Sequence, residues 1–418
     1  MGRRVDPRVP AGGVVSHRIN PPVNPLNGNA VITGIGQSQV GRRLGRSGLE
    51  LTVEACLRAI ADAGLTPDDI DGLATYPGGH PEKGFTGAAT HELRDALGLR
   101  TNWFMGSAET SGQLGPIMDA CTAVVTGRAT HVLCYRSVWE STAQIGGRAT
   151  AYATAPGAER RADGFREWTA PYGAPSAAVW IAMYAQRYMH EHGLTRTQLA
   201  QIALNARRNA GLNPHAVYRD PLSLEEYLEA RMISEPFCLY DCDVPCDGAT
   251  AVIVSRREAS VGLARPPITV EAIGSAIYER HTWDQRNDLT TMASHDSAHQ
   301  MWQQTLLSPK DVDIAELYDG FSYLTLQWIE ALGFCEHGKA GEFVDGGHRI
   351  ALDGDLPLNT HGGQLSGGRL HGVGFLHEAC VQLWGIGGER QVQRGLQVAA
   401  VGAGGGPVSG CMLISRRG

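Results

Sequence analysis

A tyrosine and an aspartate stand side by side at the end of a buried-looking strand. The stretch "AELYDGFSYL" covers residues 315–324, in which an apolar lead-in ends at Tyr318 and Asp319 and an amphipathic segment follows. In α/β proteins the turn from strand to helix is where ligands and catalytic groups collect. The pair is therefore a candidate for acid–base catalysis. The alternative interpretation is structural: Tyr318 packs, and Asp319 caps the following helix.

Three cysteines recur at every fourth residue in "CLYDCDVPCDGA", at Cys238, Cys242 and Cys246. Structural zinc sites favour closer cysteine pairs and four ligands. Packing of these side chains is therefore the favoured interpretation, and no metal site is expected. The 9 cysteines of the chain show no disulfide framework, so we expect free thiols in a reducing cytoplasm.

The composition is typical of a soluble globular protein with a substantial core. Of the 418 residues, 43% are hydrophobic, and the formal net charge is −7. That acidic balance argues against a nucleic-acid or membrane-surface partner. No apolar run is long enough for a membrane span, and the N-terminus does not resemble a signal peptide. A cytoplasmic location is therefore expected.

The chain begins with a Pro/Gly/Arg-rich stretch and then becomes regular. Residues 1–28 lack periodicity and are interpreted as a flexible arm. The apolar run "AVITGIG" predicts a strand over 30–36. Apolar residues at helical spacing then predict a helix over 48–64 that ends at Gly64.

Several elements recur in the same order, about 240 residues apart. The stretch "LTPDDIDGLATY" (65–76) matches "LSPKDVDIAELY" (307–318), and further along "TSGQLG" matches "HGGQLSG". A helix and then a strand follow each of these turns. One matching pair could arise by chance, but the ordered set indicates two homologous halves, residues 29–262 and 263–418.

A long insertion, residues 140–235, interrupts the first half. It contains a Gly/Ala/Arg-rich stretch and two predicted helices, near 175–193 and 196–211. A lid over a site formed between the two halves is one interpretation of such a loop region.

The duplicated halves, the strand "AELYDGF", the turn "LPLNTHGGQLSGGRLHG" and the tail "VGAGGGPVSG" together resemble the thiolase superfamily. The resemblance is closest to its sterol-carrier, or lipid-transfer, branch, and it covers nearly the whole chain from residue 29. It implies an α/β protein with the duplicated thiolase fold, layered αβαβα, that forms a tight homodimer. It also implies a coenzyme A thioester as the substrate, with no separate cofactor.

The residues that carry thiolase chemistry are missing. In the "ETSG" turn Glu109 stands where the family has its nucleophilic cysteine, at a helix N-terminus that lowers a thiol pKa. Ala403 stands at the position of the second cysteine. Arg369 aligns with the histidine that polarises the thioester carbonyl, and His371 lies two residues later. Thiolysis through an acyl-enzyme is therefore not expected.

Cysteines elsewhere do not replace the lost pair. Cys56, Cys121 and Cys380 fall within predicted helices and are interpreted as core residues. A thioester enolate can nevertheless be stabilised without a covalent intermediate, and retro-aldol cleavage requires only that. A base takes the proton of a β-hydroxyl, the Cα–Cβ bond breaks, and an acid protonates the α-carbon of the enolate.

The pattern resembles the thiolase-like aldolases that shorten the side chains of steroids and bile acids, in which Tyr-Asp replaces the thiolase Asn-Glu or His-Asp. The resemblance implies that Tyr318, beside Asp319, is the base or the acid at the hydroxyl. The ordinary pKa of a phenol, about 10, is high for a base, and a nearby guanidinium would lower it. We hypothesise that Arg369 serves the enolate and Tyr318, while His371 shuttles a proton. The alternatives are a salt bridge from Arg369 to Asp319 or Glu109, and packing for His371.

Four further positions are expected to contact the substrate or the enolate oxygen. His361, in "NTHGG", lies near the presumed pocket and either contacts substrate or fills space. The backbone of Gly404 and Gly405 is expected to line the oxyanion hole, because glycine permits close approach. Glu109 occupies the position of the lost nucleophile and is the fourth.

The favoured function is a carbon–carbon lyase acting on a β-hydroxyacyl-coenzyme A with a steroid or bile-acid side chain. Its products are a ketone or aldehyde and a shortened thioester such as propionyl- or acetyl-coenzyme A. Two alternatives stay open: a thiolase or acyltransferase with a displaced nucleophile, and a non-catalytic subunit that binds acyl-coenzyme A. The resemblance also implies a small OB-fold/zinc-ribbon partner in a heterotetramer.

Overall fold

A computed structural model describes most of the chain, namely residues 24, 26, 28–79, 83–107, 109–145, 166–174, 176–278 and 286–416. The predicted arm over 1–28 lies almost wholly outside these ranges. Within them, no helix combines the length and the apolar character that crossing a membrane requires.

The first half contains the predicted strand over 30–36 and the predicted helix over 48–64, which are confirmed as the first two elements. Its elements are β1 (Ala30–Gln37), α1 (Gly48–Ala63), β2 (Gly72–Thr75), α2 (Thr90–Leu97), β3 (Trp103–Gly106), α3 (Gly115–Val125), β4 (His131–Trp139), α4 (Glu140–Ala143), α5 (Arg166–Thr169), α6 (Ala177–His192), α7 (Arg196–Gly211), α8 (Leu224–Glu229), β5 (Met232–Ser234), β6 (Phe237–Cys238) and β7 (Asp247–Arg256).

The second half repeats the framework of the first with shorter connections. Its elements are β8 (Ile268–Gly274), α9 (Ala293–Trp302), β9 (Ile314–Leu317), α10 (Ser322–Ala331), α11 (Ala340–Val344), a π-helical turn (Gly363–Gly367), α12 (Gly372–Trp384), β10 (Val398–Gly405) and β11 (Val408–Ser415).

The helix α1 shows how local sequence determines an element. The Glu50 N–H donates to the Ser47 hydroxyl at 3.2 Å, and the Ser47 N–H donates to the Glu50 carboxylate at 2.9 Å, which forms a capping box. Gly64 ends the helix in the left-handed conformation, with φ of 74°. Close packing on β1 requires Gly36, because a Cβ there would lie 2.2 Å from the Ala55 carbonyl oxygen.

The order of the strands confirms the duplication. The main sheet runs β3-β2-β4-β7-β1-β8-β11-β10-β9. The series β2-β4-β7-β1 in the first half corresponds to β9-β10-β11-β8 in the second, with one parallel pair followed by antiparallel pairs in each. A short β1–β8 pairing, Val31 opposite Thr269 and Ile32 opposite Ile268, joins the two series.

Alternate residues of each strand face different helices, which creates the expected αβαβα layers. On β7, Ala251 packs with α1 and α2, whereas Val252 faces α3 and α12. On β10, Val401 also faces α3 and α12, whereas Ala400 packs with α9 and α10. The helices α3 and α12 therefore form the central layer between the two sets of strands.

The insertion lies between β4 and β7 and docks on the second half. Its predicted helices near 175–193 and 196–211 are confirmed as α6 and α7. On α7 the Asn209 side chain donates to the Leu358 carbonyl at 3.0 Å, beside the π-helical turn. The Gly/Ala/Arg-rich residues 146–165 lie outside the described ranges, so the lid and the domain boundaries stay predictions.

We predict that Gly36→Ala destabilises the protein by about 2 kcal/mol, because the added methyl group forces β1 and α1 apart. Gly395→Ala is the matched control, since no atom lies within 4 Å of a Cβ at that position. Urea unfolding of both variants measures the effect. Equal midpoints for the two variants would show that β1 and α1 separate without cost.

Candidate active site

Tyr318 lies at the junction of the two halves. It follows β9 directly, and its backbone N–H donates to the Gly402 carbonyl at 2.9 Å. Its ring folds back over Gly320, where a Cβ would lie 2.6 Å from the tyrosine Cε1. Its hydroxyl interacts with the side-chain amides of Gln113, from the turn before α3, and Gln364, from the π-helical turn. The phenol therefore lies between a turn of the first half and a turn of the second half.

The environment keeps the Tyr318 phenol protonated. Burial raises its pKa above the ordinary value, and the negative charge of Asp243 acts in the same direction. Gln113 and Arg369 favour the phenolate but are outweighed. Arg369 therefore lowers the pKa of Tyr318, as expected, but the combined effect of all surrounding groups raises it. The expectation of a lowered pKa is wrong. In the resting site Tyr318 is a proton donor.

Asp319 connects the end of β9 to the π-helical turn. Its carboxylate accepts the backbone N–H of Gln364 at 2.7 Å and, more weakly, that of Leu365 at 3.4 Å. Gly363, with φ of 57°, permits this approach, since a Cβ there would lie 1.9 Å from the Asp319 Oδ2. The alternative that Asp319 caps α10 is wrong, because the N-cap residue of α10 is Phe321.

Burial raises the pKa of the Asp319 carboxyl to about 7, and the two backbone donors only partly offset that rise. Asp319 thus positions the π-helical turn by accepting hydrogen bonds from its main chain.

Arg369 forms salt bridges, but not to the expected partners. Its Nη2 lies 2.7 Å from a Glu140 carboxylate oxygen, and its Nη1 lies 3.1 Å from an Asp243 oxygen. The predicted alternatives, Asp319 and Glu109, are not its partners. Because Glu140 and Asp243 belong to the first half, Arg369 holds the second-half turn against the first half. With two anions beside it, Arg369 is not an uncompensated cation for an enolate.

His371 is neutral, and its tautomer is fixed. Burial lowers its pKa well below the ordinary value, and the positive charges of Arg136 and Arg369 lower it further. The Arg136 Nε donates to the His371 Nδ1 at 3.1 Å. Because Nδ1 accepts that hydrogen bond, the ring carries its proton on Nε2. His371 is therefore suited to donate a hydrogen bond rather than to shuttle a proton by becoming cationic.

Arg136 is the functional candidate that the sequence reasoning missed. It lies within β4 and is 1% exposed. Its Nη1 donates to the Phe85 carbonyl at 2.7 Å, and the guanidinium lies 4.6 Å from the centroid of the Phe85 ring. Among the described residues its Nη2 has no partner. An arginine inside the apolar strand "HVLCYRS" was the signal available in the sequence.

His361 belongs to a buried network behind Tyr318. Its Nδ1 lies 3.1 Å from the carboxylate of Glu316, a residue of β9. Thr360 bridges Glu316 and Glu378 at 2.8 and 2.7 Å, and Arg390 pairs with Glu378 at 2.9 Å. Burial disfavours the charged imidazole, but Glu316 outweighs that effect and raises the His361 pKa.

A polar cleft connects His361, Gln364 and His371 with the surface. His361, Gln364 and His371 line its inner part, and His215, His377 and Arg390 line the side that continues into a second, more open pocket. The expected contact of His361 with this cleft is therefore present, although its Nδ1 faces Glu316.

The remaining predicted positions, Glu109, Gly404 and Gly405, are not among the residues that line this cleft. Glu109 is exposed in the turn before α3. Gly404, with φ of 86°, and Gly405 are paired with β11 in a hairpin, and the Gly404 carbonyl accepts the Trp328 indole N–H at 3.0 Å. Ala403 instead points inward, since a Cβ on Gly372 would lie 2.8 Å from the Ala403 methyl.

The buried thiols of the structure are not activated. None of the nine cysteines forms a disulfide, and Cys56, Cys121 and Cys380 are core residues, as predicted. The structure brings Cys246 close to the site, because a Cβ on Gly368 would lie 3.1 Å from its sulfur. Burial raises the pKa of that thiol far above its ordinary value. A thiolate nucleophile is therefore disfavoured at this position.

The comparisons with known proteins identify the family. A sequence model described as thiolase C-terminal domain-like matches residues 274–414. The steroid side-chain-cleaving aldolase of Thermomonospora curvata is 37% identical over 85% of this chain and 90% of that protein. The 17-hydroxy-3-oxo-4-pregnene-20-carboxyl-CoA lyase of Mycobacterium tuberculosis is 34% identical over 93% of this chain and 100% of that protein.

Solved structures agree at the level of the fold. The Ltp2-ChsH2(DUF35) aldolase superposes with a TM-score of 0.82 at 34% identity and covers 94% of this chain and 99% of that one. Human mitochondrial 3-ketoacyl-CoA thiolase superposes with a TM-score of 0.65 at 15% identity, covering 93% of this chain and 99% of that one. The fold is thus that of the thiolase superfamily.

Within that superfamily the chain belongs to the steroid side-chain-cleaving aldolases. The resemblance inferred from the sequence is confirmed. So is the class of enzyme, a carbon–carbon lyase rather than a conventional thiolase.

We predict that Asp319→Asn flattens the pH dependence of stability. The folded carboxyl has a pKa of about 7, against an ordinary value of 3.8, so the folded state holds a proton that the unfolded state has lost between these values. The wild-type free energy of unfolding should therefore fall as pH rises from about 4 to 7, by up to about 1.4 kcal/mol per pH unit, and level off above 7.

Urea unfolding of the wild type and Asp319→Asn between pH 4.5 and 8 measures the difference. Gln364 can still donate to the asparagine oxygen in the variant. Parallel pH profiles for the two proteins would contradict a raised pKa of Asp319.

Proposed function

We propose that this protein cleaves a β-hydroxyacyl-coenzyme A thioester that carries a steroid side chain, by a retro-aldol reaction. The products are a steroid ketone and a shortened acyl-coenzyme A. The observation that carries the proposal is a protonated Tyr318 beside Gln364, whose side-chain oxygen also accepts the N–H of the neutral, tautomer-fixed His371, with the neighbouring Cys246 thiol held protonated by burial. The lyase activities in the names of the two relatives support the same reaction class.

The enolate oxygen is assigned to His371 and Arg136. The His371 Nε2–H is a donor because Nδ1 is occupied by Arg136, and the Arg136 Nη2 lacks a partner among the described residues. Donors fixed in a buried site stabilise developing negative charge without reorganising, and a single such donor is worth roughly 3 kcal/mol. This pair takes over the role that the sequence reasoning gave to Arg369.

Tyr318 is assigned the acid step. When the Cα–Cβ bond breaks, its electrons pass to the thioester oxygen, and the α-carbon must then gain a proton. Tyr318 holds one in the resting site, because burial raises its pKa. We assign the β-hydroxyl proton to the Asp243 carboxylate, whose charge acts directly on Tyr318. Proton return from Asp243 to Tyr318 completes the cycle.

We predict that Tyr318→Phe lowers cleavage by about 10²-fold or more, the usual effect of removing a positioned acid or base. Tyr323→Phe is the matched control: Tyr323 is a buried tyrosine of α10 whose hydroxyl has no partner among the described residues. The assay uses 17-hydroxy-3-oxo-4-pregnene-20-carboxyl-CoA as the substrate. Mass spectrometry should find a 17-ketosteroid and propionyl-coenzyme A as the products.

Near-wild-type turnover of Tyr318→Phe would remove the acid assignment. A displaced nucleophile would instead reveal itself as an acyl group on the intact protein and as loss of cleavage in Cys246→Ala. Absence of cleavage with and without a partner protein would favour a non-catalytic subunit.

The same proposal includes a homodimer and a small OB-fold/zinc-ribbon partner in a cytoplasmic heterotetramer. The strand β3 ends the main sheet, where β2 is its one partner among the described strands, and Phe104 on it is 67% exposed. An unpaired, apolar strand edge is a ready surface for pairing with a second copy. The second component named in the Ltp2-ChsH2(DUF35) aldolase supports the partner.

We predict that Phe104→Glu lowers the solution mass to that of a monomer, because it places a charge at the contact of two β3 edges. Light scattering after size exclusion measures this mass. Ile145→Glu, which replaces another exposed apolar residue, is the control. A dimer that survives Phe104→Glu would exclude β3 as the dimer edge.

A further inference from the structure

A second cluster of ionisable side chains lies apart from the cleft, in the second half. His295 lies in the first turn of α9, Glu330 in α10, and His337 in the loop after α10. Each residue offers one ligand atom, and these three atoms lie within 4.8 Å of one another. The reaction proposed above uses none of them.

The Glu330 carboxylate is held so that one oxygen faces the cluster. Its Oε1 accepts the Tyr188 hydroxyl and the Ala340 N–H, the latter at 2.9 Å. Its Oε2 lies 2.9 Å from the His337 Nδ1. The Glu330 side chain is 1% exposed, so this carboxylate is removed from water and needs a positive partner.

Hydrogen bonds on the far side of His337 determine its tautomer. The Thr290 hydroxyl lies 2.6 Å from an Asp288 oxygen and 3.0 Å from the His337 Nε2. A carboxylate only accepts, so Thr290 donates to Asp288 and must accept from the His337 Nε2–H. In a neutral ring the Nδ1 lone pair would then face the Glu330 Oε2 at 2.9 Å. Two acceptors at that distance require a shared proton, carried by the ring or by the carboxyl, or a metal ion that both atoms contact.

His295 supplies the independent observation. Its Nε2 is buried and has no partner among the described residues. Its Nδ1 accepts the Met292 N–H at a long 3.3 Å and lies 3.5 Å from the Ser294 hydroxyl. Ligation through Nε2 would move the ring proton to Nδ1, where the Ser294 hydroxyl can accept it, and would give up the long Met292 contact.

We propose that His295, Glu330 and His337 bind a divalent transition-metal ion of the Zn²⁺ class, through Nε2, Oε2 and Nδ1. Two imidazoles and one carboxylate are ordinary zinc ligands, and three protein ligands leave the fourth tetrahedral position to water. The Asp288–Thr290–His337 chain and the Tyr188–Glu330 contact are outer contacts of the type that orient metal ligands. His337 is 41% exposed, which gives an ion access from solvent.

The ion would join α9 to the end of α10. The N-terminus of α9 also supports the β10–β11 hairpin, because the Ala293 N–H donates to the Gly406 carbonyl at 3.0 Å. A metal at this position would therefore stabilise the second half without contacting the substrate. No local motif indicates this site, since the three ligands are spread over 43 residues, from 295 to 337.

The test uses the full chain without a histidine tag, stripped with a chelator, dialysed and then loaded with Zn²⁺. We expect about one Zn²⁺ per chain by elemental analysis, and a rise in melting temperature on loading. His295→Gln and His337→Gln should each weaken zinc binding at least 10-fold. His299→Gln, an exposed histidine on the same helix, should bind like the wild type.

Co²⁺ titration of the stripped wild-type chain covers the case in which a variant fails to fold. A stoichiometric rise of the visible absorption typical of tetrahedral Co²⁺ is expected, and Zn²⁺ should abolish it. Absence of that band, or equal zinc binding by His295→Gln and the wild type, would overturn the proposal. The cluster would then be an ion pair of protonated His337 with Glu330.

Discussion

The site depends on one connection, from the Asp319 carboxylate to the backbone N–H groups of the π-helical turn. That contact joins the end of β9 to the turn at the atoms of Gln364 and Leu365. Tyr318 is fixed on one side of it. On the other side the turn positions Gln364, whose side-chain oxygen accepts the His371 N–H at 3.1 Å. A buried carboxylate is costly unless hydrogen-bonded, so these groups hold their places together.

Charge in this cleft is arranged to receive an enolate rather than to create a nucleophile. A thiolase site lowers a thiol pKa at a helix N-terminus. Here burial raises the pKa values of the Tyr318 phenol and of the Cys246 thiol, so both hold their protons. The two arginines have other roles. Arg136 supports a neutral His371 as a donor, and Arg369 is neutralised by Glu140 and by Asp243. The loss of the cysteines is thus matched by a change in electrostatics.

The sequence was sufficient for the fold and for the position of Tyr318. Periodicity predicted β1, α1, α6 and α7, and the internal repeat predicted the duplication, because these signals are local or recur in order. Partners far apart in the chain were not predictable: Arg369 meets Glu140 across 229 residues, and Arg136 meets His371 across 235. Burial dominates the pKa of Tyr318 and likewise depends on packing. A nearby arginine in the sequence therefore could not predict the direction of the shift.

The central claim is that this cleft stabilises a thioester enolate without bonding the acyl group to the protein. Exchange of the α-hydrogens of propionyl-coenzyme A in D₂O, without any ketone present, measures that enolate directly. The account predicts exchange by the wild type that persists after thiol alkylation, and its loss in Tyr318→Phe. Steroid cleavage without any such exchange, or an acylated protein by intact mass, would contradict it.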